Sequence, residues 1–236
     1  MPLLTQLIDK KEHKDWLKKF SEFTQKEIDI CINKELNPDT EIMTMGEVIK
    51  VLNELTKGDA VIVSDVGQHQ MVACRYAKFN SSRSNVTSGG LGTMGFGLPA
   101  AMGAKLGTPD RTVVAIIGDG GFQMTLQEMG TIMQNNIGLK IIILNNHFLG
   151  MVRQWQELFN ERRYSFTNID SPDFVALSRA YHINAENISE RKNLEEGIRK
   201  MLETEGPYLL EVIVGKENNV FPMVPQGCSV SEIRLS

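Results

Sequence analysis

Four short apolar runs punctuate the chain: 60–63 (AVIV), 112–117 (TVVAII), 141–144 (IIIL) and 208–214 (YLLEVIV). Near-continuous runs of this length predict strands buried on both faces, as parallel sheets require. A weaker run, 183–188, predicts one more short strand. Between the runs, apolar positions recur at helical spacing. Val48, Val51, Leu52 and Leu55 follow a Thr44-x-x-Glu47 capping box. Leu126, Met129, Ile132 and Met133 form a second such face, and Met151, Val152, Trp155 and Leu158 a third. Segments 172–181 and 193–202 read as two further helices, and the polar cluster 65–70 (DVGQHQ) opens another that runs to Tyr76. Near the start, Trp16, Leu17, Phe20, Phe23, Ile28 and Cys31 share one face of a charged helix over 10–34, which predicts a surface helix lying on a core. Asn37-Pro38-Asp39 breaks it. Strands alternating with helices predict an α/β fold, a doubly wound, mainly parallel sheet with helices on both faces.

The stretch 118–146 carries the strongest chemistry. Gly118-Asp119-Gly120 is expected to end the strand over 112–117 in a tight turn, where glycine permits unusual angles and close approach. The helical face after it and the run 141–144 complete a βαβ unit that ends in Asn145-Asn146. In such a unit the carboxyl ends of the two strands lie side by side, where open α/β sheets bind ligands. Asp119 therefore comes near Asn146, although residues 121–144 separate the two motifs. A carboxylate and an amide oxygen are hard ligands, too few to cage an ion alone. That suits Mg²⁺ shared with a phosphate group.

Composition narrows the class. The 236 residues suffice for one large α/β domain and a modest extension. A net charge of −4, with Lys and Arg scattered, gives no electrostatic case for nucleic acid or an anionic membrane. No apolar run approaches the ~20 residues that span a bilayer. Cys31, Cys74 and Cys228 are odd in number and far apart, so neither a disulfide framework nor structural zinc is expected, and a cytoplasmic location is. The four histidines lack zinc-ligand spacing, and no Walker A or G-x-S-x-G motif occurs.

One rival reading stands beside the metal site. Gly90-x-Gly92-x-x-Gly95 matches a dinucleotide fingerprint, with Asp119 as its ribose-binding acid. The segment before it, 84–88, is polar where that motif follows a buried strand, and ribose binding requires neither the flanking glycines of Asp119 nor Asn145-Asn146. His69, taken alone, reads as a capping or partly buried histidine; with Gln68 at a helix start it also fits a diphosphate site.

GDG closed by NN at this interval resembles the cofactor signature of thiamine diphosphate enzymes. Longer segments, GQHQM (67–71), TSGGLGTMGFGLPAAMGAKLG (87–107), GDGGFQMTLQE (118–128), NNHFLGMVRQWQELF (145–159) and PMVP (222–225), resemble the catalytic subunits of acetolactate synthases in particular. The resemblance runs from about Thr44 to the end. It implies that Asp119, Asn146 and the main-chain carbonyl of Phe148 hold Mg²⁺ against the diphosphate. Gly67, Gln68 and His69 would contact the diphosphate, with Gly92, Gly118, Gly120, Gly121, Leu149 and Gly150 also in the cofactor site. Met94 would support the bent cofactor, and Met151, beside the cofactor, would line the substrate pocket with Trp155. Gly121 stands where many relatives carry serine. The implied reaction decarboxylates pyruvate and joins the product to a second 2-keto acid, giving acetolactate or acetohydroxybutyrate for branched-chain amino acids.

Family chains also carry a pyrimidine-binding domain, whose glutamate activates the cofactor, and a middle domain with most of the FAD site. No catalytic residue of that kind is expected in this chain, and FAD is expected only in the full-length enzyme. The chain resembles the diphosphate-binding domain (41–236) alone, with 1–40 as a helical remnant of middle domain and linker, inactive by itself. The resemblance implies a homo-oligomer whose sites need the pyrimidine-binding domain of the same or a neighbouring chain, and a regulatory small subunit as a possible partner. Another thiamine diphosphate carboligase or decarboxylase, and a non-catalytic nucleotide-binding module, are the alternatives.

Overall fold

The computed structural model describes residues 11–236. The first ten residues of the expected N-terminal extension lie outside the described residues. Contacts divide the chain into two units. One comprises the residues up to Lys34 together with Phe221–Ser236, the other Glu35–Val220. That division differs from a boundary at residue 40, since the C-terminal tail groups with the N-terminal segment.

The larger unit is a six-stranded sheet in the order β2-β1-β3-β4-β6-β5, parallel throughout. Helix α2 (Met45–Thr56) precedes β1 (Val61–Ser64). Then come α3 (Gln68–Tyr76), β2 (Asn85–Thr87), α4 (Gly97–Gly107) and β3 (Val113–Gly118). Two short helices, α5 (Asp119–Gln123) and α6 (Met129–Gln134), cross to β4 (Lys140–Asn145). Helices α7 (Gly150–Phe159) and α8 (Phe174–Ala180) lead to β5 (Asn184–Ile188), and α9 (Leu194–Glu203) to β6 (Tyr208–Ile213).

Strand side chains alternate between faces, and the core divides accordingly. Val114, Ile116, Ile142, Leu144, Leu210 and Val212 meet α2, α3 and α9 on one face. Val113, Ala115, Ile117, Ile141 and Ile143 meet α4, α5, α6 and α8 on the other. Both faces are dry, which is why the central strands read as unbroken apolar runs. Each fully buried Val, Ile or Leu contributes roughly 1.5–3 kcal/mol relative to exposure. The order of strands reverses between β1 and β3. There α3 leaves toward one face and α5 toward the other, opening a crevice at the carboxyl ends.

Some elements differ from expectation. The polar segment 84–88 contains β2, a three-residue strand paired only with β1. An edge position needs no apolar run. Helix α4 was not foreshadowed, because its Gly- and Ala-rich sequence carries little amphipathic signal. The capping box forms by half: Thr44 Oγ1 accepts from Glu47 N at 3.2 Å, while Glu47 Oε1 pairs with Arg191 Nε at 2.6 Å. The single helix expected after Gly120 is broken into α5, a 3-10 turn (Leu126–Glu128) and α6. Met129 and Ile132 are buried as expected, whereas Met133 is exposed.

In the smaller unit, α1 (Lys14–Glu27) is followed by a π-helical turn (Ile28–Ile32) and a short helical turn (Asn33–Leu36), the last of which runs on into the larger unit. The apolar face expected to lie on a core is exposed instead. Trp16, Leu17, Phe20 and Phe23 all stay accessible, and Trp16 packs against Phe20, with ring centroids 4.3 Å apart. Cys31 is buried, and its thiol donates to Leu235 O.

Candidate functional site

Three strand ends build one cavity. The segment after β1 contributes Val66, Gly67, Gln68 and His69; the end of β3 and start of α5 contribute Gly118, Asp119, Gly120 and Gly121. Beyond β4, Leu144, Asn146, Phe148, Leu149, Gly150, Met151 and Val152 complete the wall, with Met45, Gly92 and Met94. The enclosed volume is about 230 Å³. Every cofactor-site and metal-ligand residue expected from the sequence borders this cavity. Trp155 does not. It is 40% exposed and packs on Phe159, with centroids 4.8 Å apart. Trp155 stands one turn along α7 from Met151, on the same side of the helix, one turn farther from the cavity-lining start of α7.

Backbone shape explains the glycines. Gly67 has φ +147°, a region closed to side-chain-bearing residues, and so turns the chain from β1 into α3. The GDG motif works differently from the expected tight turn. Gly118 has an ordinary extended backbone, and Asp119 begins α5 directly. Its glycines serve close approach: a Cβ on Gly118 would lie 3.0 Å from His69 Nδ1, and one on Gly120 would lie 2.8 Å from Ile169 Cδ1.

Asp119 is buried, and burial pushes its carboxyl up to about 6 against the Gly120 N–H, the Ser171 hydroxyl and His147, all of which favour the charged form. Ser171 Oγ donates to Asp119 Oδ2 at 3.3 Å. Asn146, also buried, is fixed at both ends of its amide: Oδ1 accepts from Phe148 N at 3.1 Å, and Nδ2 donates to Gln68 Oε1 at 3.4 Å. Phe148 is held in turn by the Arg153 guanidinium, 5.2 Å over its ring. Among the described residues no group of three or more His, Cys, Asp or Glu side chains gathers around a metal position.

Gln68 lies at the cavity, but its amide is committed elsewhere. Nε2 donates to Gln154 Oε1 at 2.9 Å and to Asn218 O at 3.0 Å, while Oε1 receives Asn146. Gln154, buried mid-helix, also accepts from Val220 N at 2.9 Å. Sequence reasoning passed over Gln154 because one polar residue within an amphipathic helix gives no pattern. Asp65 was visible only as part of a polar cluster. In the fold it is fully buried, with Oδ1 2.5 Å from His69 Nε2 and Oδ2 accepting from Gly95 N at 3.0 Å. The Asp65-to-His69 spacing of four residues across a helix start was the signal for that pair.

The Gly90–Gly95 rival has its strand, but it is the polar edge strand β2, and its proposed acid Asp119 opens α5 within the cavity among Gly118, Gly120 and Asn146. Comparison with known proteins decides the family. Residues 65–212 match the family described as thiamine pyrophosphate enzyme, C-terminal TPP binding domain. The chain is 45% identical over 197 residues to the acetolactate synthase large subunit of Lactococcus lactis, covering 83% of this chain and 34% of that protein. It is 46% identical over 187 residues to acetolactate synthase isozyme 2 large subunit of Escherichia coli, covering 79% and 34%. Against chloroplastic acetolactate synthase 1 of Nicotiana tabacum it is 41% identical over 240 residues, covering 98% and 36%. The chain thus spans about a third of the length of these curated relatives. A solved structure of Rhodococcus jostii thiamine diphosphate-dependent 4-hydroxybenzoylformate decarboxylase superposes with a TM-score of 0.69 at 25% identity, covering 75% of this chain and 33% of that one. With its parallel sheet, its cavity at the β1, β3 and β4 ends and a match across most of its length, this chain belongs to the thiamine pyrophosphate enzymes, through their C-terminal TPP-binding domain.

Proposed function

We propose that the chain supplies the diphosphate-binding part of an acetolactate synthase catalytic subunit. The observation that carries this reading is the single glycine-walled cavity where Asp119, Asn146 and Phe148 meet. The donor set fits a divalent ion. The buried Asp119 carboxyl is held near 6 by desolvation, a cost that a cation would offset, and the amide of Asn146 is fixed by Phe148 and Gln68. Asp119, Asn146 Oδ1 and the Phe148 carbonyl would hold Mg²⁺. Gly67, with His69, would border the diphosphate at the start of α3, where helix-start N–H groups favour anions, and Gly120 would border it beside Asp119.

Thiamine diphosphate, when bound, supplies an electron sink for the charge left by decarboxylation of a 2-keto acid. The chain's own part is positional: Met94, Leu149 and Met151 give the cavity apolar lining. At about 230 Å³ it is smaller than the ~300–1,000 Å³ of complete ligand pockets, which fits a site finished by another domain. We assign the pyrimidine-binding domain, its activating glutamate and FAD to the longer protein. A homo-oligomer and a regulatory small subunit belong to the same proposal, with pyruvate and a second 2-keto acid as substrates. Three unpaired thiols fit a reducing compartment, so the cytoplasm is the proposed location.

Calorimetric titration of thiamine diphosphate, with Mg²⁺ and with EDTA, tests the reading. Weak binding that needs Mg²⁺ and disappears in Asp119→Ala is expected. Binding indifferent to Mg²⁺ and to Asp119 would refute it. Product analysis of the longer protein separates acetolactate formation from other thiamine-dependent carboligation or decarboxylation.

A further inference from the structure

We propose that Asp65 is the positioning residue for His69, holding the ring so that Nε2 faces the protein and Nδ1 is left for the diphosphate. The ligand in this statement rests on the function proposed above; the pairing itself rests on geometry. Asp65 is fully buried, and His69 is 5% exposed. Their contact, Oδ1 to Nε2, is 2.5 Å, and a carboxylate can only accept, so Nε2 carries a proton.

The other carboxylate oxygen is used as well. Oδ2 accepts from Gly95 N at 3.0 Å, which ties the pair to the glycine segment before α4. On its far side the ring uses space that only glycine leaves. Cβ atoms placed on Gly67 and Gly118 would lie 2.9 and 3.0 Å from Nδ1, so those two glycines make the slot that the ring occupies. Both glycines and His69 border the cavity. A ring that flips or swings loses its Asp65 contact.

A third relation is independent of His69. A Cβ on Gly121 would stand 2.2 Å from Asp65 Oδ2, so the carboxylate occupies the space a side chain at 121 would take. Positions 65 and 121 are therefore coupled. A Cβ at 121 and Oδ2 of Asp65 cannot both keep these positions, so a serine there is expected to shift the carboxylate that orients His69.

Long-range proton–nitrogen NMR of the chain with ¹⁵N-labelled histidine reads each ring nitrogen of His69 directly. A protonated Nε2 is expected in the native chain, and a shift of the proton toward Nδ1 in Asp65→Asn, whose amide keeps the shape and presents a donor. Gly121→Ser is expected to disturb the same signals without altering either member of the pair. A bare Nε2 in the native chain, or His69 signals unchanged in a folded Asp65→Asn or Gly121→Ser chain, overturns the proposal. Mg²⁺ and thiamine diphosphate are then added. The Nδ1 signal is expected to move on binding, and the Kd to rise about tenfold in Asp65→Asn, the scale on which orienting partners act. Binding with Nδ1 unmoved overturns the contact with the diphosphate. Absence of cofactor binding in a chain whose Nε2 is protonated overturns the functional reading and that contact together, while the pairing stands on the free-chain spectra.

Discussion

Asp119 illustrates how much one residue's setting matters. Burial pushes its carboxyl up to about 6, above the ordinary 3.8. A raised carboxyl pKa means the folded chain holds its proton more tightly than the unfolded one. Stability is therefore highest below pH 4 with respect to this group and falls as pH rises toward 6, by about 3 kcal/mol at most. Urea denaturation in EDTA across that window should show the slope in the native chain and lose it in Asp119→Asn. Gly150 makes a second test. A Cβ there would stand 2.2 Å from Gln68 Oε1, the atom that fixes the Asn146 amide. Gly150→Ala should cost roughly 1–3 kcal/mol as an overpacked site and weaken Mg²⁺-dependent cofactor binding, both measurable on one sample. The sequence marked Asp119 and Asn146 because each stands beside a motif. It left Gln154 unmarked, since orienting a neighbour's amide requires no motif at all.

At the scale of elements, legibility followed burial. Strands β3 and β4 have helices on both faces, so the stretches Val113–Ile117 and Ile141–Leu144 are unbroken apolar runs and unmistakable. Strand β2 has one neighbour and three partly exposed residues, and its Asn-Val-Thr sequence is indistinguishable from loop. Helix α4 buries Leu98, Ala101 and Met102, but glycines and alanines around them blur the stripe. The energetic ranking should follow the same logic. Ile116→Ala, in a fully buried strand position, is expected to cost about 2–5 kcal/mol. Thr44→Ala, which removes the acceptor at the start of α2 and the hydroxyl's donation to Glu35 O, should cost about 1–2 kcal/mol. Equilibrium denaturation with unchanged m-values would establish the order.

For the whole molecule, the expectation is that this chain alone forms no acetolactate from pyruvate, while the longer protein does so in an EDTA-sensitive manner. A colorimetric product assay on both checks it; turnover by the chain alone would mean that no further domain is needed. The parallel α/β class, the central βαβ unit and the motif residues that gather at the cavity were all legible in the sequence alone, because each is a local pattern: apolar runs, glycine spacing, the GDG and NN pairs. Tertiary structure decided what local pattern cannot encode. It left Trp155 partly exposed and packed on Phe159, committed the Gln68 amide to Asn146, Gln154 and Asn218, and brought Asp65 against both His69 and Gly121. Those outcomes depend on which side chains share a volume once the strands are side by side, and that is settled by packing in three dimensions rather than by spacing along the chain.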